Sequence, residues 1–354
     1  MNKHTHGGRI FEAARELKIA WEDILDFSAN INPLGQPPGL KEHLFSQFKA
    51  TLHYPDVDAS SLVKAISSYS DLPEDSIFPG AGSTPQIRML SRFLSPKRPL
   101  ILAPAFAEYG ESLMAADLTP NYIFMREEEG FELRDWVVDD VASFKPDAIF
   151  VANPANPTGR LVPTESLERL LTYAYEAKVP LIIDEAFINF TDRPSLQARV
   201  LTHPSLVVLR SLTKVFAIPG LRLAYLAANP ELVTTFKGLM EPWPINFMAL
   251  EAGIYSLGLR DYLKKTPEVT KTLRESLSHV LSPYGRLIHS DCNFVLMKLQ
   301  SGETLPLVSF LSQRGILIRD ASNFKGLGRG YLRFAVRPQN EIDTLKKALR
   351  DFYA

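Results

Sequence analysis

A chain of 354 residues, 45% hydrophobic and 22% charged, can bury a large core and has room for two domains, so it reads as a globular protein. Its 39 Lys+Arg against 40 Asp+Glu leave a net charge of -1, which offers no global attraction to nucleic acid or to an anionic membrane; any anionic partner must be met locally. A single cysteine, Cys292, excludes an intramolecular disulfide, no Cys/His cluster has zinc spacing, and no metal site is expected. The N-terminus lacks the apolar core of a signal peptide and no run of 18 uncharged apolar residues occurs, so a cytoplasmic location is expected.

In chain order, a strand is predicted at 76–79, followed by apolar runs "PLILAP" (99–104), "DAIFVANP" (147–154), "VPLIIDEAF" (179–187), "SLVVLRS" (205–211) and "LRLAYLA" (221–227). Runs of this kind are strands buried on both faces, which belong to parallel sheets. Between them lie amphipathic patterns such as 163–178, which opens on Pro and Thr and puts Leu167, Leu170, Leu171 and Ala174 on one face. The alternation is that of an α/β fold. From about residue 245 the texture changes to a long helical stretch, then "DCNFVLMKL", "LVSFLSQRGILIRD" and "GYLRFAVRP", the strand, helix, strand, strand order of a smaller α+β domain. The boundary is placed near Pro242 to Pro244.

Ligands of open α/β sheets bind outside the carboxyl ends of the strands, and here those ends read "AGST", "PAFAEY", "NPANPTG", "DEAF" and "RSLTK". Each has a purely structural reading: Asp184 as a helix cap or half of an ion pair, "NPANPTG" as turn chemistry. Together they describe something more specific. A carboxylate after "VPLII" is desolvated and needs a cationic or hydrogen-bonding partner, a role a protonated pyridine nitrogen fills. Gly82, Ser83 and Thr84 precede Pro85, a good first helical residue, so they can offer backbone N–H groups and hydroxyls to a phosphate, with Ser211 and Arg222 as further donors. Lys214, desolvated near cations, would have a lowered pKa and act as an amine nucleophile towards an aldehyde. Lysine, aspartate and phosphate cradle together describe a pyridoxal 5'-phosphate site.

At these residues the sequence resembles the fold-type I pyridoxal-phosphate enzymes, in their histidinol-phosphate aminotransferase branch, over essentially its whole length. "SLTK" with Arg222 eight residues past Lys214 is similar to the lysine segment of that family, and "NPANPTG" with "DEAF" to its cofactor-ring motifs. Within the branch, "HGG" (6–8), "LDFSANINPLG" (25–35) and "PAFAEYG" resemble the threonine-phosphate decarboxylases of cobalamin biosynthesis. The resemblance implies a large domain with a mainly parallel sheet covered by helices (39–244), a small C-terminal domain (245–354), and an N-terminal segment (1–38) packing at the active site with the small domain. It implies Lys214 as the lysine that holds the cofactor, Asp184 on the pyridine nitrogen, Asn156 on the ring 3'-oxygen and Tyr109 stacked on the ring. Gly82, Ser83, Thr84, Ser211 and Arg222 would hold the cofactor phosphate, with Tyr54 reaching it from a second subunit of a homodimer. His6, Gly7, Asn30 and Asn156 would contact substrate, and Arg319 and Arg333 would bind its anionic groups.

The implied reaction is decarboxylation of O-phospho-L-threonine to (R)-1-amino-2-propanol O-2-phosphate. The alternative is transamination of histidinol phosphate with 2-oxoglutarate. A non-catalytic cofactor-binding protein is a third reading, against which the intact set of Lys214, Asp184, Asn156 and Arg222 speaks. Two departures from the aminotransferases stand out: Phe187 replaces the tyrosine that also bonds the 3'-oxygen, and "GAGSTP", with Ala81 and Pro85, lacks the asparagine and acidic residue of their phosphate loop.

The arginines can also be placed from the residues alone. Period two in "YLRFAVR" puts Tyr331, Arg333, Ala335 and Arg337 on one face, with Leu332, Phe334 and Val336 buried on the other. Arg333 and Arg337 lie roughly 13 Å apart along a strand, too far for one phosphate to bridge easily. Arg319, ending "GILIR", is therefore the better partner for Arg333, and Arg337 is left open between this role and a surface ion pair.

Overall fold

The computed structural model describes residues 6–354; residues 1–5 of the expected N-terminal segment lie outside the described residues. Its centre is a seven-stranded sheet of β1 (Ile77–Gly80), β2 (Pro99–Ala103), β3 (Asn121–Phe124), β4 (Ala148–Ala152), β5 (Leu181–Asp184), β6 (Leu206–Ser211) and β7 (Ala224–Ala227), in spatial order β1-β7-β6-β5-β4-β2-β3. Alternate residues of each central strand enter two different cores. Ile149, Val151, Leu181, Ile183, Leu206 and Val208 join the larger one, while Phe150, Ile182, Val207 and Leu209 face the opposite side. Both faces are covered, and the strands read as unbroken apolar runs for that reason.

One expectation fails in a physically informative way. The run "LRLAYLA" forms β7, and β7 is antiparallel to both β6 and β1, while β2 to β6 pair in parallel. Full burial made the run look parallel, but between Ser211 and Ala224 the chain forms only the short helix Leu212–Val215 and does not cross over the sheet, so it returns as a hairpin-like connection. That connection carries Lys214. Strand β3 was not foreseen; its residues are only half-buried at the sheet edge.

Helices α1 (Ser83–Leu94), α2 (Ala107–Met114) and α3 (Thr164–Ala177) follow β1, β2 and β4, and α3 buries the predicted Leu167, Leu170, Leu171 and Ala174. After the one-turn α4 (Leu212–Val215), α5 (Phe247–Leu257) adds Ala249, Leu250, Ala252 and Leu257 to the large core. The long α6 (Arg260–Leu281) gives Tyr262 to that core and Leu277, Val280 and Leu281 to a second one. The change of core thus falls within α6, beyond residue 245 where the sequence texture changes.

The second core lies under a four-stranded antiparallel sheet, β10-β11-β9-β8, built from β8 (Gly285–Ile288), β9 (Phe294–Leu299), β10 (Arg319–Asp320) and β11 (Tyr331–Ala335), and covered by α7 (Leu305–Ser312) and α8 (Gln339–Tyr353). The N-terminal segment is tied to this unit: Leu25–Asp26 pairs in parallel with Ile316–Leu317, Phe27 is fully buried in the second core, and Ala335 N–H donates to the Phe27 carbonyl. Among the described residues no helix is long and apolar enough to cross a membrane.

Candidate active site

The carboxyl ends of β4, β5 and β6 open into a cavity of about 340 Å³, closed on the other side by β10, β11 and the segment after Phe27. Lys214 enters it from α4, where its backbone is fixed by its neighbours: Asn32 N–H donates to the Lys214 carbonyl, and Asn32 Nδ2 to the Val215 carbonyl at 2.7 Å. Burial, with Arg222 and Arg333 nearby, lowers the Lys214 ammonium to about 8, against the pull of Asp184 and Asp26. The amine is therefore a usable nucleophile near neutral pH.

Asp184 ends β5 on the cavity floor. Its carboxylate accepts from Ala186 N–H at 2.9 Å and from the Tyr109 hydroxyl at 2.8 Å, and burial raises its pKa. No ion pair to it exists among the described residues, so a cation is still called for. Asn156 borders the same floor. Its Oδ1 accepts from Arg333 Nη1, which leaves Nδ2 as the atom that can donate to a ligand.

The phosphate cradle forms where α1 begins. No side chain caps that helix, so its first N–H groups remain for an anion. Gly82 has φ +96°, and a Cβ there would lie 2.7 Å from Arg222 Nη2; only glycine fits. Ser83, Thr84, Ser211 and Arg222 border the cavity. Thr213, with its Oγ1 2.8 Å from Ser211 Oγ, joins them unforeseen.

The opposite wall is cationic. Arg319 and Arg333 are register partners on β10 and β11 and both reach the cavity. Arg333 Nη2 donates to the Ser28 carbonyl at 2.9 Å, and Arg319 Nη2 donates to Asn323 Oδ1 at 2.8 Å. Burial and Arg319 lower the Arg333 guanidinium to about 9, and burial lowers Arg319 as well. Neither has a carboxylate partner within ion-pair distance among the described residues. Arg337 leaves the strand and pairs with Glu341, Nε to Oε2 at 2.8 Å, so the surface ion pair is its role.

The N-terminal segment crosses the mouth. A Cβ on Gly7 would fall 2.1 Å from the Ser28 carbonyl, and Gly8 N–H donates to Ser28 Oγ at 2.8 Å, which explains the glycine pair of "HGG". His6 Nε2 lies 3.0 Å from Glu108 Oε1, and Glu111 completes a group of three ligand-type side chains within 4.8 Å. Asn30 is buried at the cavity with its Oδ1 unpartnered.

Of the two tyrosines expected at the cofactor, Tyr109 lines this cavity and Tyr54 does not. The Tyr109 hydroxyl is engaged by Asp184, and its ring lies along Phe150 with centroids 6.0 Å apart. Phe106, edge-on to Tyr109, adds an aromatic to the cavity wall. Tyr54 lies outside its own chain's cavity, 80% exposed and stacked on Trp243 at 4.5 Å. Phe106 and Glu108, not among the expected site residues, both lie in "PAFAEYG", and their place at a strand end is the signal in the sequence that marks them. Phe187 presses edge-on against Phe294, so no hydroxyl stands at that wall.

Residues 22–352 match the family described as aminotransferase class I and II. The chain belongs to this family. It is 33% identical to threonine-phosphate decarboxylase of Salmonella typhimurium over 98% of its length and 96% of that protein's. Its fold is similar to the crystal structure of the histidinol-phosphate aminotransferase from Clostridium acetobutylicum, with a TM-score of 0.85, 31% identity, and coverage of 93% of this chain and 98% of that one. For L-threonine-O-3-phosphate decarboxylase from Porphyromonas gingivalis the TM-score is 0.82 at 25% identity, covering 93% and 99%. The chain is a pyridoxal-phosphate enzyme of this fold, and its donor set fits that cofactor: an amine of lowered pKa, a buried carboxylate lacking a cation, and an uncapped helix start beside an arginine.

Proposed function

We propose that this enzyme decarboxylates O-phospho-L-threonine, as a step of cobalamin biosynthesis. The observation that carries the reading is the pair of buried, carboxylate-free guanidinia, Arg319 and Arg333, facing Lys214 across one cavity. They suit a substrate bearing two anionic groups, a phosphate and a carboxylate, for which planar forks give oriented, charge-assisted hydrogen bonds. The Salmonella relative and the absent hydroxyl at Phe187 support the same choice.

Pyridoxal phosphate, when bound, supplies an electron sink for the bond broken at the substrate α-carbon. Lys214 would hold it, and as a free amine would move a proton at the α-carbon. Asp184 would keep a positive charge at the ring nitrogen, Asn156 would offer Nδ2 as a donor and Phe106 an aromatic wall, and Gly82, Ser83, Thr84, Ser211, Thr213 and Arg222 would hold the cofactor phosphate. Arg319 and Arg333, with His6, Gly7 and Asn30, hold the substrate and decide which bond at the α-carbon is presented for cleavage.

Phe45, Phe48, Leu52, Tyr54 and Trp243 are large apolar residues left exposed, as they would not be in a dimer that brought Tyr54 to the partner's cofactor phosphate; the enzyme is read as a cytoplasmic homodimer without nucleic-acid or membrane partners. The test is carbon dioxide release from O-phospho-L-threonine with no keto acid added. Conversion of histidinol phosphate only when 2-oxoglutarate is supplied would replace this reading with transamination.

A further inference from the structure

We infer that Tyr109 is a positioning residue for Asp184: its buried hydroxyl fixes the rotation of the carboxylate and keeps it ionised for the cofactor's ring nitrogen. The inference rests on the cofactor reading alone and is independent of which substrate is used.

Asp184 is 6% exposed, and its two oxygens each have a single donor, Ala186 N–H on Oδ1 and the Tyr109 hydroxyl on Oδ2. The backbone donor belongs to the turn after β5 and comes with the fold. The second is supplied from another element, the first turn of α2, 75 residues earlier in the chain. Tyr109 cannot swing away: it is 1% exposed, its ring lies along Phe150 of β4 and it takes the edge of Phe106 at 5.9 Å and 87°. Burial and the neighbouring carboxylate push its phenol far above the ordinary value, so it remains a protonated donor throughout the working pH range.

A phenol facing a carboxylate can only donate, so the bond favours the ionised form of Asp184 over the protonated one that burial alone would favour. The bond also settles which lone pairs remain for the cavity. Phenylalanine would keep the packing and remove only this bond. A hydrogen bond to a charged group is among the stronger ones, so cofactor affinity should fall about tenfold.

The test is pyridoxal phosphate titration of four apo-proteins, wild type, Tyr109→Phe, Asp184→Asn and the double variant, followed by the visible absorbance. Expected are a loss of roughly tenfold from Tyr109→Phe in the wild-type background and less than about twofold in the Asp184→Asn background, because residues acting through one another are not additive. The pH midpoint of the holoenzyme absorbance should rise in Tyr109→Phe. A weaker negative charge at the ring nitrogen leaves less positive charge there to repel the proton on the Lys214 nitrogen. The apo-protein melting temperature is the control for packing. Equal losses in both backgrounds, or an unmoved pH midpoint, would overturn the inference and make Tyr109 a packing residue. Failure of the wild type itself to take up the cofactor would instead remove the reading on which it rests.

Discussion

The cavity meets anions with two walls made in opposite ways. On the large domain, the start of α1, the hydroxyls of Ser83, Thr84, Ser211 and Thr213, and the solvent-exposed Arg222 offer partial charges and one guanidinium still in contact with water. On the small domain, Arg319 and Arg333 lie side by side on adjacent strands, both buried and both held below their usual pKa. Helix dipoles and backbone N–H groups come with the fold at no desolvation cost to a full charge, so the first wall suits a resident phosphate. Two buried like charges are costly until an anion arrives, so the second wall suits a ligand that comes and goes. For Arg333 the lowered pKa means its charged form is disfavoured by folding at all pH values below about 9, and a bound anion offsets that cost.

The largest expected effect separates chemistry from both walls. Lys214→Ala should reduce turnover by about six orders of magnitude, as removal of a covalent catalyst does, while phosphate binding at either wall persists; carbon dioxide release and equilibrium phosphate binding measure the two. Retained turnover would dissociate Lys214 from the reaction.

Next, Arg333→Met should lower kcat/KM about 100-fold, within the cost of breaking a buried charge pair, while leaving the substrate-free melting temperature unchanged or higher because an unpaired buried charge is gone. Arg333→Lys should recover only part of the loss, since a point charge cannot replace a planar fork. A variant that loses stability and activity in proportion would make the second wall a structural element.

Inorganic phosphate sharpens the contrast. In the holoenzyme the first wall is filled, so thermal stabilisation by phosphate reports the second wall alone, roughly 2.7 kcal/mol at a hundredfold excess over Kd. The effect should vanish in Arg333→Met holoenzyme and persist in Arg337→Ala.

Lys214 reads both walls at once. In the apo-enzyme its reaction with an amine reagent should show a pH midpoint near 8, and removing either Arg222 or Arg333 should raise it, Arg222 more, because both guanidinia disfavour the ammonium. Smallest of all, Arg337→Ala should cost about 0.3–0.5 kcal/mol, as an i,i+4 pair does, with kcat/KM unchanged.

The residues of the large domain were legible because their chemistry is written locally. The runs before β7 end in buried strands whose polar ends fall at the same edge of the sheet, so Lys214, Asp184 and Asn156 could be named from the runs before them, and Arg222 from its place eight residues past Lys214. "YLRFAVR" likewise assigned Arg333 to one face and Phe334 to the other by period alone. Direction and partnership were not local. The antiparallel course of β7 depends on the path its connection takes, and the stretch "GILIRD" splits between two partners, Ile316–Leu317 with Leu25–Asp26 and Arg319–Asp320 with β11. Tyr109 shows the same limit at the level of one side chain. Its sequence marks an aromatic at a strand end, but a phenol can stack or donate, and only the packing of α2 against β4 brings its hydroxyl within 2.8 Å of Asp184. Periodicity and strand ends determine which groups face the cavity; contacts between residues far apart in the chain, set by tertiary packing, decide what each group does there.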